Sequence, residues 1–584
     1  MESARGEREP GPLVMSAPGA EPPDAPRCGG RARRLCHGRD SRSRGSKILI
    51  LVLCTSLGAR EDQPMDEHHV PVLVVGGSLV GLTMSALLAK YGVANLVVES
   101  HPGTAIHPRA ASFHQRTMEV FRSVGLQREV EEAAAREFRQ GGAIVAVESL
   151  GGKELAYFYR SYNDGVEGLS PADRLFVTQV GLEPILRRRA TDLGAQHLFG
   201  FDLVSFEQQD DQVVSVIRPH AGGAEQVVTS DYLVAADGAH SEIREHLGTP
   251  MDGRGSFADC VTIYFRAEIN DLMRERNLSV VYVNNPGLTG FFRFSITGDS
   301  GFLAVFATLD PEGRRDTHVG QDISAQQCAD LVRTALGADA ARPISVESVQ
   351  RWSAMAVTAR SFRSGRVFLA GDSAHAMPPT GGFGGNTGVA DAHNLAWKLA
   401  FVTRGLAGAE LLETYDAERR PICALTVEQA YTRYALRVDP SLPRDDLMPP
   451  LDDAAIELGA IYRSTAVHAE GPPESPLDDP HGRSWAVGAR VPHVMLPGTG
   501  GPISTLDTAE EGFALLVEDE RAGRRELVNA LGIPVAIHAL GPGGAPAGGA
   551  LLRPDGVIAW KPDNAGDLVF EQLPGVLSEL LSRR

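Results

Sequence analysis

The sequence predicts an α/β protein: a Rossmann-like unit, an antiparallel sheet inserted into it, and a small α/β unit at the C-terminal end. Three observations predict this. Pro71–Val75 is a short apolar run, followed by Gly76-Gly77-Ser78-Leu79-Val80-Gly81, an Ala- and Leu-rich stretch to Lys90, and a second run, Val93–Val98, ending on Glu99. That is a strand, a Gly-rich turn, a helix and a strand. Between residues 251 and 352, Thr, Tyr, Phe and Val runs are cut by Gly, Pro, Asn and Asp, the texture of antiparallel strands. From residue 485 onward short apolar runs alternate with helical patterns.

In the opening unit the first glycine allows a tight turn. The loop amides and the helix end can hold a pyrophosphate, and the acid after the second strand can take a ribose. Gly76, Ser78, Gly81 and Glu99 are the candidates, with Glu99 lying 23 residues after Gly76. Ser78 stands where a second glycine is usual, and its small side chain still permits close approach. A plain NAD-binding domain reads the same way in this segment alone. Further on, an apolar strand, Tyr232–Ala236, runs into Asp237-Gly238, and a helix with Ser241 and Arg244 follows.

Gly365–Ala400 has a ligand-binding layout. An apolar strand, Arg366–Ala370, ends at Gly371-Asp372. Pro378, Pro379, Gly381, Gly382, Gly384 and Gly385 predict an irregular loop, and the helical pattern begins at Thr387. The acid can bond sugar hydroxyls, and the loop amides can hold an anionic group. A capping loop that binds nothing is the alternative for this stretch alone.

The inserted strands are expected at Cys260–Ala267, Val280–Val283, Gly290–Ile296 and Leu303–Thr308, with one face packed and one facing a cavity. Tyr282, Phe292, Phe294 and Met377 are candidates to line that cavity, and each also fits a core position. The expected divisions are 67–250 with 353–440 for the first unit, 251–352 for the sheet, 441–484 for a Pro- and Asp-rich linker with one helix, and 485–584 for the last unit. In that last unit strands are expected at Phe513–Val517, Val535–His538, Ala550–Arg553 and up to Trp560, with helices near Arg524–Leu531 and at the end. It holds no cysteine, which excludes dithiol chemistry there.

Residues 1–66 read as a disordered extension. The first 64 carry ten Arg and one Lys, and the apolar run KILILVLCTSLGA is too short to span a bilayer. Met65 opens MDEHHVPVLVVGG, so a dispensable extension, a native tail and a targeting segment are all open readings. A net charge of -18 argues against nucleic acid or an anionic membrane as partner. The cysteines at 28, 36, 54, 260, 328 and 423 include no CxxC, which fits a cytoplasmic protein without a disulfide framework. His101, His107, His114, His375 and His393 form no recognisable ligand cluster, so no metal site is expected.

The three fingerprints, in this order, resemble the class A FAD-dependent aromatic hydroxylases. The wording is similar to the branch that oxidises aromatic polyketides: the anthracycline, angucycline and tetracenomycin hydroxylases. The resemblance covers about residues 65–584. It implies a p-hydroxybenzoate hydroxylase-like FAD domain and a thioredoxin-like C-terminal domain. It implies that Asp372, after Gly371, binds the ribityl chain, that Pro379, Gly382 and Asn386 lie along the isoalloxazine ring, and that Asp237-Gly238 contacts FAD and bears on pyridine nucleotide use. The segment IHPRAASFHQRTME resembles one whose Arg sits near the cofactor, here Arg109, and FVTQVGLEPIL one whose Gln reaches the flavin-side sugar, here Gln179. Arg109 also reads as a surface residue.

The implied chemistry is hydroxylation of an aromatic polyketide or other polycyclic phenol, using non-covalent FAD, NAD(P)H and O2, through a C4a-hydroperoxyflavin. A monomer or homodimer is expected. No catalytic base is assigned, and His375 is weighed as a proton donor against a structural hydrogen bond. Two alternatives remain open: Baeyer–Villiger oxygen insertion on a polyketide ketone, and a non-catalytic binding protein that keeps the scaffold.

Overall fold

The computed structural model describes residues 67–583 apart from 108–110, 311, 320–322, 470, 472–474, 498–500, 510, 519–531, 542–545, 547 and 563–567. The expected extension, Arg109 and the helix expected near Arg524–Leu531 lie outside the described residues.

An apolar run with no polar alternation makes a strand buried on both faces. Val72–Val74 are such a run at the centre of β1 (Glu67–Val75). The chain then turns through α1 (Leu79–Lys90) into β2 (Asn95–Glu99), which lies parallel to β1. Later come α2 (Gln179–Asp192), Gln196–Phe199 and β3 (Gln226–Ala235), the last parallel to β1 on its other side. The eight-stranded sheet runs Arg363–Ser364, Val367–Leu369, β3, β1, β2, Gln196–Phe199, with Val213–Pro219 paired to β3 and Phe201–Gln208 paired to Val213–Pro219. α1 is buried over nearly its whole length, because α2 and a later helix flank it.

The second sheet has nine strands. Its main members are β4 (Met251–Arg266), β5 (Leu278–Asn285), β6 (Leu288–Phe294), β7 (Ser300–Leu309) and β8 (Ser345–Ala359). Two features depart from expectation. The sheet is mixed, because β5 pairs in parallel with Ala143–Val147. It also extends beyond 251–352: Ala143–Val147 and Glu154–Tyr159 join from the earlier chain, β8 runs on to Ala359, and His375–Ala376 pairs with β8. The short run Ala143–Val147 alternates buried and half-buried residues, so one of its faces needs a sheet to cover it.

Alternation sorts the sheet's side chains. Val261, Ile263, Phe265, Val281, Val283, Phe292 and Phe294 face α3 (Ala325–Leu336) and pack on Cys328, Val332 and Leu336. Cys260, Phe306 and Ala354 face the other way, onto Tyr434 and Val438. Phe292 and Phe294 are therefore core residues behind the sheet, in contact with Phe265 and each other, and do not line a cavity.

α4 (Phe383–Thr403) begins four residues before the expected Thr387, so Gly384 and Gly385 lie in its first turn. α5 (Glu413–Arg437) packs along α4 and along β8. The stretch 441–484, expected as a linker, is built into the structure. Its helix α6 (Asp453–Leu458) pairs Asp453 with Arg433, and Glu457 with Arg174 at 2.8 Å.

The C-terminal sheet has the order Val535–Ala539, Phe513–Val517, Ala550–Leu552, Ile558–Trp560. The first pair is parallel and the others antiparallel, and the helix Leu568–Leu580 closes the chain. Arg553 of this unit reaches Glu418 of α5 with both terminal nitrogens, at 2.6 and 3.0 Å. Lys398 (2.9 Å) and Asn394 (2.7 Å) of α4 bind the same carboxylate, and all four residues are buried. Burial alone would raise the pKa of Glu418, but Arg553 and Lys398 hold it well below the usual carboxylate range. Among the described residues no helix is long and apolar enough to cross a membrane.

Candidate functional site

Four parallel strands end level with one another. Val75 pairs with Val98 and Ala235, and Ala235 pairs with Leu369. The residues that follow these ends, Gly76, Glu99, Asp237 and Gly371-Asp372, therefore emerge at one edge of the sheet. The crevice outside the carboxyl ends of parallel strands is where open α/β sheets bind ligands.

Gly76 adopts φ +106°, and a Cβ there would stand 2.2 Å from the Ala236 carbonyl oxygen. A Cβ on Gly81 would lie 1.8 Å from the Gly76 oxygen, so α1 starts directly against the turn. Ser78 precedes α1 but does not cap it. Its hydroxyl donates to Glu183 at 2.6 Å and accepts from Gln179 at 3.2 Å. Glu183 also accepts from Gln179 (3.0 Å) and from the Ala105 amide (2.7 Å). This buried carboxylate joins the Gly-rich turn, α2 and the segment after β2. The hydroxyl at Ser78 is used, which explains a serine where a glycine is usual.

Glu99 accepts from the Gly77 amide at 2.5 Å and the His101 amide at 2.8 Å. Burial would raise its pKa, but these amides and the His101 ring lower it, so the carboxylate stays charged. Asp237 is different. One of its oxygens takes a long bond from the Ile243 amide, 3.3 Å, while the other is buried without a partner, and burial raises its pKa. Gly238 follows at φ +88°. Arg244 donates to the Ser373 and Ala239 carbonyls, both at 3.0 Å, and so ties the Asp237-Gly238 turn to the Gly371–Ser373 turn.

In that second turn Gly371, Ser373, Ala374 and His375 are buried while Asp372 is exposed. Pro379 is exposed, and Gly381, Gly382, Gly384 and Gly385 are half-buried, so open backbone stands at Asp372 and again from Pro379 to the first turn of α4, with mostly buried residues between the two. The Asn386 side chain is buried and taken up within the protein. It accepts from the His114 amide (2.9 Å) and Thr117 hydroxyl (2.6 Å) and donates to Ser112 and Gly382 carbonyls. It is a clasp between the loop and residues 112–117.

The chain matches the family described as FAD binding domain over residues 69–430, and the family described as aromatic-ring hydroxylase, C-terminal, over 484–583. The chain belongs to the FAD-dependent aromatic-ring hydroxylases. It is 42% identical over 543 residues to a 4-methyl-5-nitrocatechol 5-monooxygenase of a Burkholderia species, covering 88% of this chain and 98% of that one. It is 36% identical over 552 residues to a tetracenomycin B2 monooxygenase-dioxygenase of Streptomyces olivaceus, covering 89% and 100%. The solved ternary complex of an aklavinone-11 hydroxylase with FAD and aklavinone superposes with a TM-score of 0.82 at 35% identity, over 89% of this chain and 100% of that one. The protein is an FAD-dependent monooxygenase.

In this hydroxylase the strand-end residues fit FAD by their own chemistry. Gly76 leaves no room for a side chain at the turn after β1, Asp237 has an unpartnered buried oxygen, and Asp372 stands exposed on an otherwise buried turn. Of the two roles weighed for His375, the geometry favours the structural hydrogen bond: the ring is wholly buried behind the turn and bound to Asp391 at 2.7 Å. Met377 wedges among Phe383, Val427, Ala430 and Tyr431, between the second sheet and α5. Tyr282 is half-buried on the sheet face opposite α3, with Phe158 at 5.6 Å and Phe291 at 5.8 Å. Glu183, Arg244 and Asp391 were not singled out as site residues. Each has a partner far off in sequence, Ser78 for Glu183, Ser373 for Arg244 and Arg419 for Asp391, which no local spacing announces.

Proposed function

We propose that this enzyme uses NAD(P)H and O2 to hydroxylate a polycyclic phenol of the aromatic-polyketide class. The observation that carries the reading is the half-buried aromatic group Tyr282, Phe158 and Phe291, on the sheet face turned away from the core cluster. Flat aromatic walls suit a planar fused-ring ligand better than a small carboxylate. The named activities of the tetracenomycin and aklavinone relatives support the same substrate class.

Asp372 binds the ribityl chain, Gly76, Ser78 and Gly81 admit the pyrophosphate, and Glu99 takes the adenosine ribose. Gln179 reaches the flavin-side sugar, Asp237-Gly238 contacts FAD, and Pro379, Gly382 and the Asn386 backbone lie along the ring. When bound, FAD supplies the reductive activation of O2 that an aromatic ring cannot achieve alone. Tyr282 and its neighbours orient the substrate ring and exclude water. The parallel sheet with its inserted second sheet supports a p-hydroxybenzoate hydroxylase-like core. The parallel pair flanked by an antiparallel hairpin supports a thioredoxin-like C-terminal domain. A cytosolic monomer or homodimer is the form proposed.

A second reading has support from the nitrocatechol monooxygenase relative, namely a single-ring phenol as substrate. Incubation with heavy-oxygen O2, NADPH and either a polycyclic or a single-ring phenol tests both. The expected product is a polycyclic phenol carrying one labelled hydroxyl, with NADPH oxidation accelerated by that substrate. Turnover of the single-ring phenol alone favours the second reading. A labelled lactone shows Baeyer–Villiger insertion instead, and a colourless protein that takes up no FAD overturns every reading here.

A further inference from the structure

Asp391 on α4 is fully buried. One of its oxygens accepts from the Gly371 amide at 3.0 Å and from His375 Nε2 at 2.7 Å. The other accepts from Arg419 Nε at 2.8 Å. Gly371 and His375 stand on either side of Asp372: Gly371 opens the turn and His375 opens the short strand after it. A single carboxylate therefore pins both ends of the segment that presents Asp372.

We propose that Asp391 is a positioning residue for FAD, holding through Gly371 and His375 the turn that presents Asp372. The inference rests on Asp372 as the ribityl ligand and adds what fixes it in place.

A buried carboxylate persists only where charge and hydrogen bonds compensate its lost hydration. Here they do, because Arg419 and His375 both face it. Burial would raise the pKa of Asp391, but His375 and Arg419 lower it. Burial would lower that of His375, but Cys423 and Asp391 raise it well above the ordinary value. The bonds are therefore charge-assisted, which makes them short and directional. His375 Nδ1 has no partner, so the polar anchoring of this ring comes from Asp391. Arg419 is itself fixed by the Thr387 carbonyl at 3.1 Å and the Tyr462 hydroxyl at 3.0 Å.

The ligand atoms of His375, Asp391 and Cys423 lie within 4.8 Å of one another, which is also a geometry for a metal ion. The guanidinium of Arg419 already fills that role. It bonds Asp391 and lies 3.6 Å from Cys423 Sγ, placing a fixed positive charge beside two of the three groups.

The test is titration of the apoprotein with FAD, followed by quenching of flavin fluorescence. Asp391→Asn keeps the size of the side chain, and its FAD affinity should fall about tenfold or more, as should that of Asp372→Ala. In the double variant the second substitution should add less than about twofold, because both act through one contact. Asp391→Glu keeps the charge opposite Arg419 but displaces the carboxyl group. It is expected to fold and to bind FAD more weakly, and it decides the matter where Asp391→Asn does not fold. Full FAD affinity in a folded Asp391 variant beside a weakened Asp372→Ala overturns the positioning role alone. Full additivity in the double variant does the same. Undiminished affinity in Asp372→Ala removes the ribityl assignment and the proposal with it. A stoichiometric metal in the purified protein overturns the electrostatic account.

Discussion

Tyr282 and Phe292 show how one residue of register decides a role. Across the β5–β6 ladder Val281 faces Phe292, and Tyr282 faces Phe291. Successive side chains on a strand point to opposite faces, so Phe292 follows Val281 into the core while Phe291 joins Tyr282 on the other face, beside Phe306. The sequence shows the alternation but not which face meets α3, because that helix lies further along the chain. Phe292→Ala is expected to cost about 3–5 kcal/mol of stability, the usual range for a large aromatic lost from a packed core. It should leave KM for a polycyclic phenol nearly unchanged in the protein that remains folded. Tyr282→Ala should show the opposite pattern, with a thermal midpoint close to wild type and a raised KM. Thermal unfolding beside steady-state kinetics separates the two, and a raised KM in Phe292→Ala would reverse the assignment of faces.

At the scale of the element, α4 is the informative helix. Its first turn contains Gly384 and Gly385, poor helix formers that predict a loop. Packing wins, because Asn386 clasps the turn to residues 112–117 and most of the helix beyond is buried. Gly388 has a different reason. A Cβ there would meet Val80 Cγ2 at 2.5 Å and the Gly371 Cα at 3.1 Å. Small residues at 371 and 388 thus let the helix lie directly against the turn that carries Asp372. Gly388→Ala should destabilise by about 1–3 kcal/mol through overpacking and weaken FAD binding as the turn is pushed aside. Thermal unfolding and flavin titration of this variant measure both. A loss of stability with unchanged FAD affinity would mean that the helix, and not the turn, gives way.

The whole molecule is joined through buried charge. Glu418 connects α5, α4 and Arg553 of the C-terminal unit, while Phe513 of that unit meets Trp397 at 6.0 Å and Phe401 at 5.8 Å. Arg553 also holds the buried carboxylate of Asp555, while Glu418 keeps Lys398, so Arg553→Met leaves Asp555 uncompensated and should cost about 3–5 kcal/mol. The pKa of Glu418 is lowered from 4.5. Its contribution is therefore present in full above that value and is lost as the pH falls toward the folded-state pKa. Glu418→Gln should flatten the acid limb of the thermal midpoint plotted against pH, and an unaltered acid limb would place the titration elsewhere. Truncation after about Pro480 uncovers Trp397 and Phe401 and should leave the remainder poorly soluble or altered in assembly, as gel filtration would show. A soluble, FAD-binding remainder that NADPH no longer reduces would instead give the C-terminal unit a part in catalysis.

What the sequence determined by itself is everything that depends on neighbouring residues. The turn at Gly76, the acid of Glu99 after its strand, and the Asp237-Gly238 and Gly371-Asp372 turns are local backbone requirements. A strand end followed by a glycine is visible wherever it occurs. Tertiary structure decided what joins distant segments. Ser78 meets Glu183, Asn386 meets His114, Asp391 holds Gly371 and His375 beneath Arg419, and Arg553 meets Glu418. The choice of sheet face for Phe292 and the recruitment of Ala143–Val147 into the second sheet belong to the same class. These pairings follow from packing and from the compensation of buried charge. Both are properties of the assembled interior, and no sequence spacing encodes them.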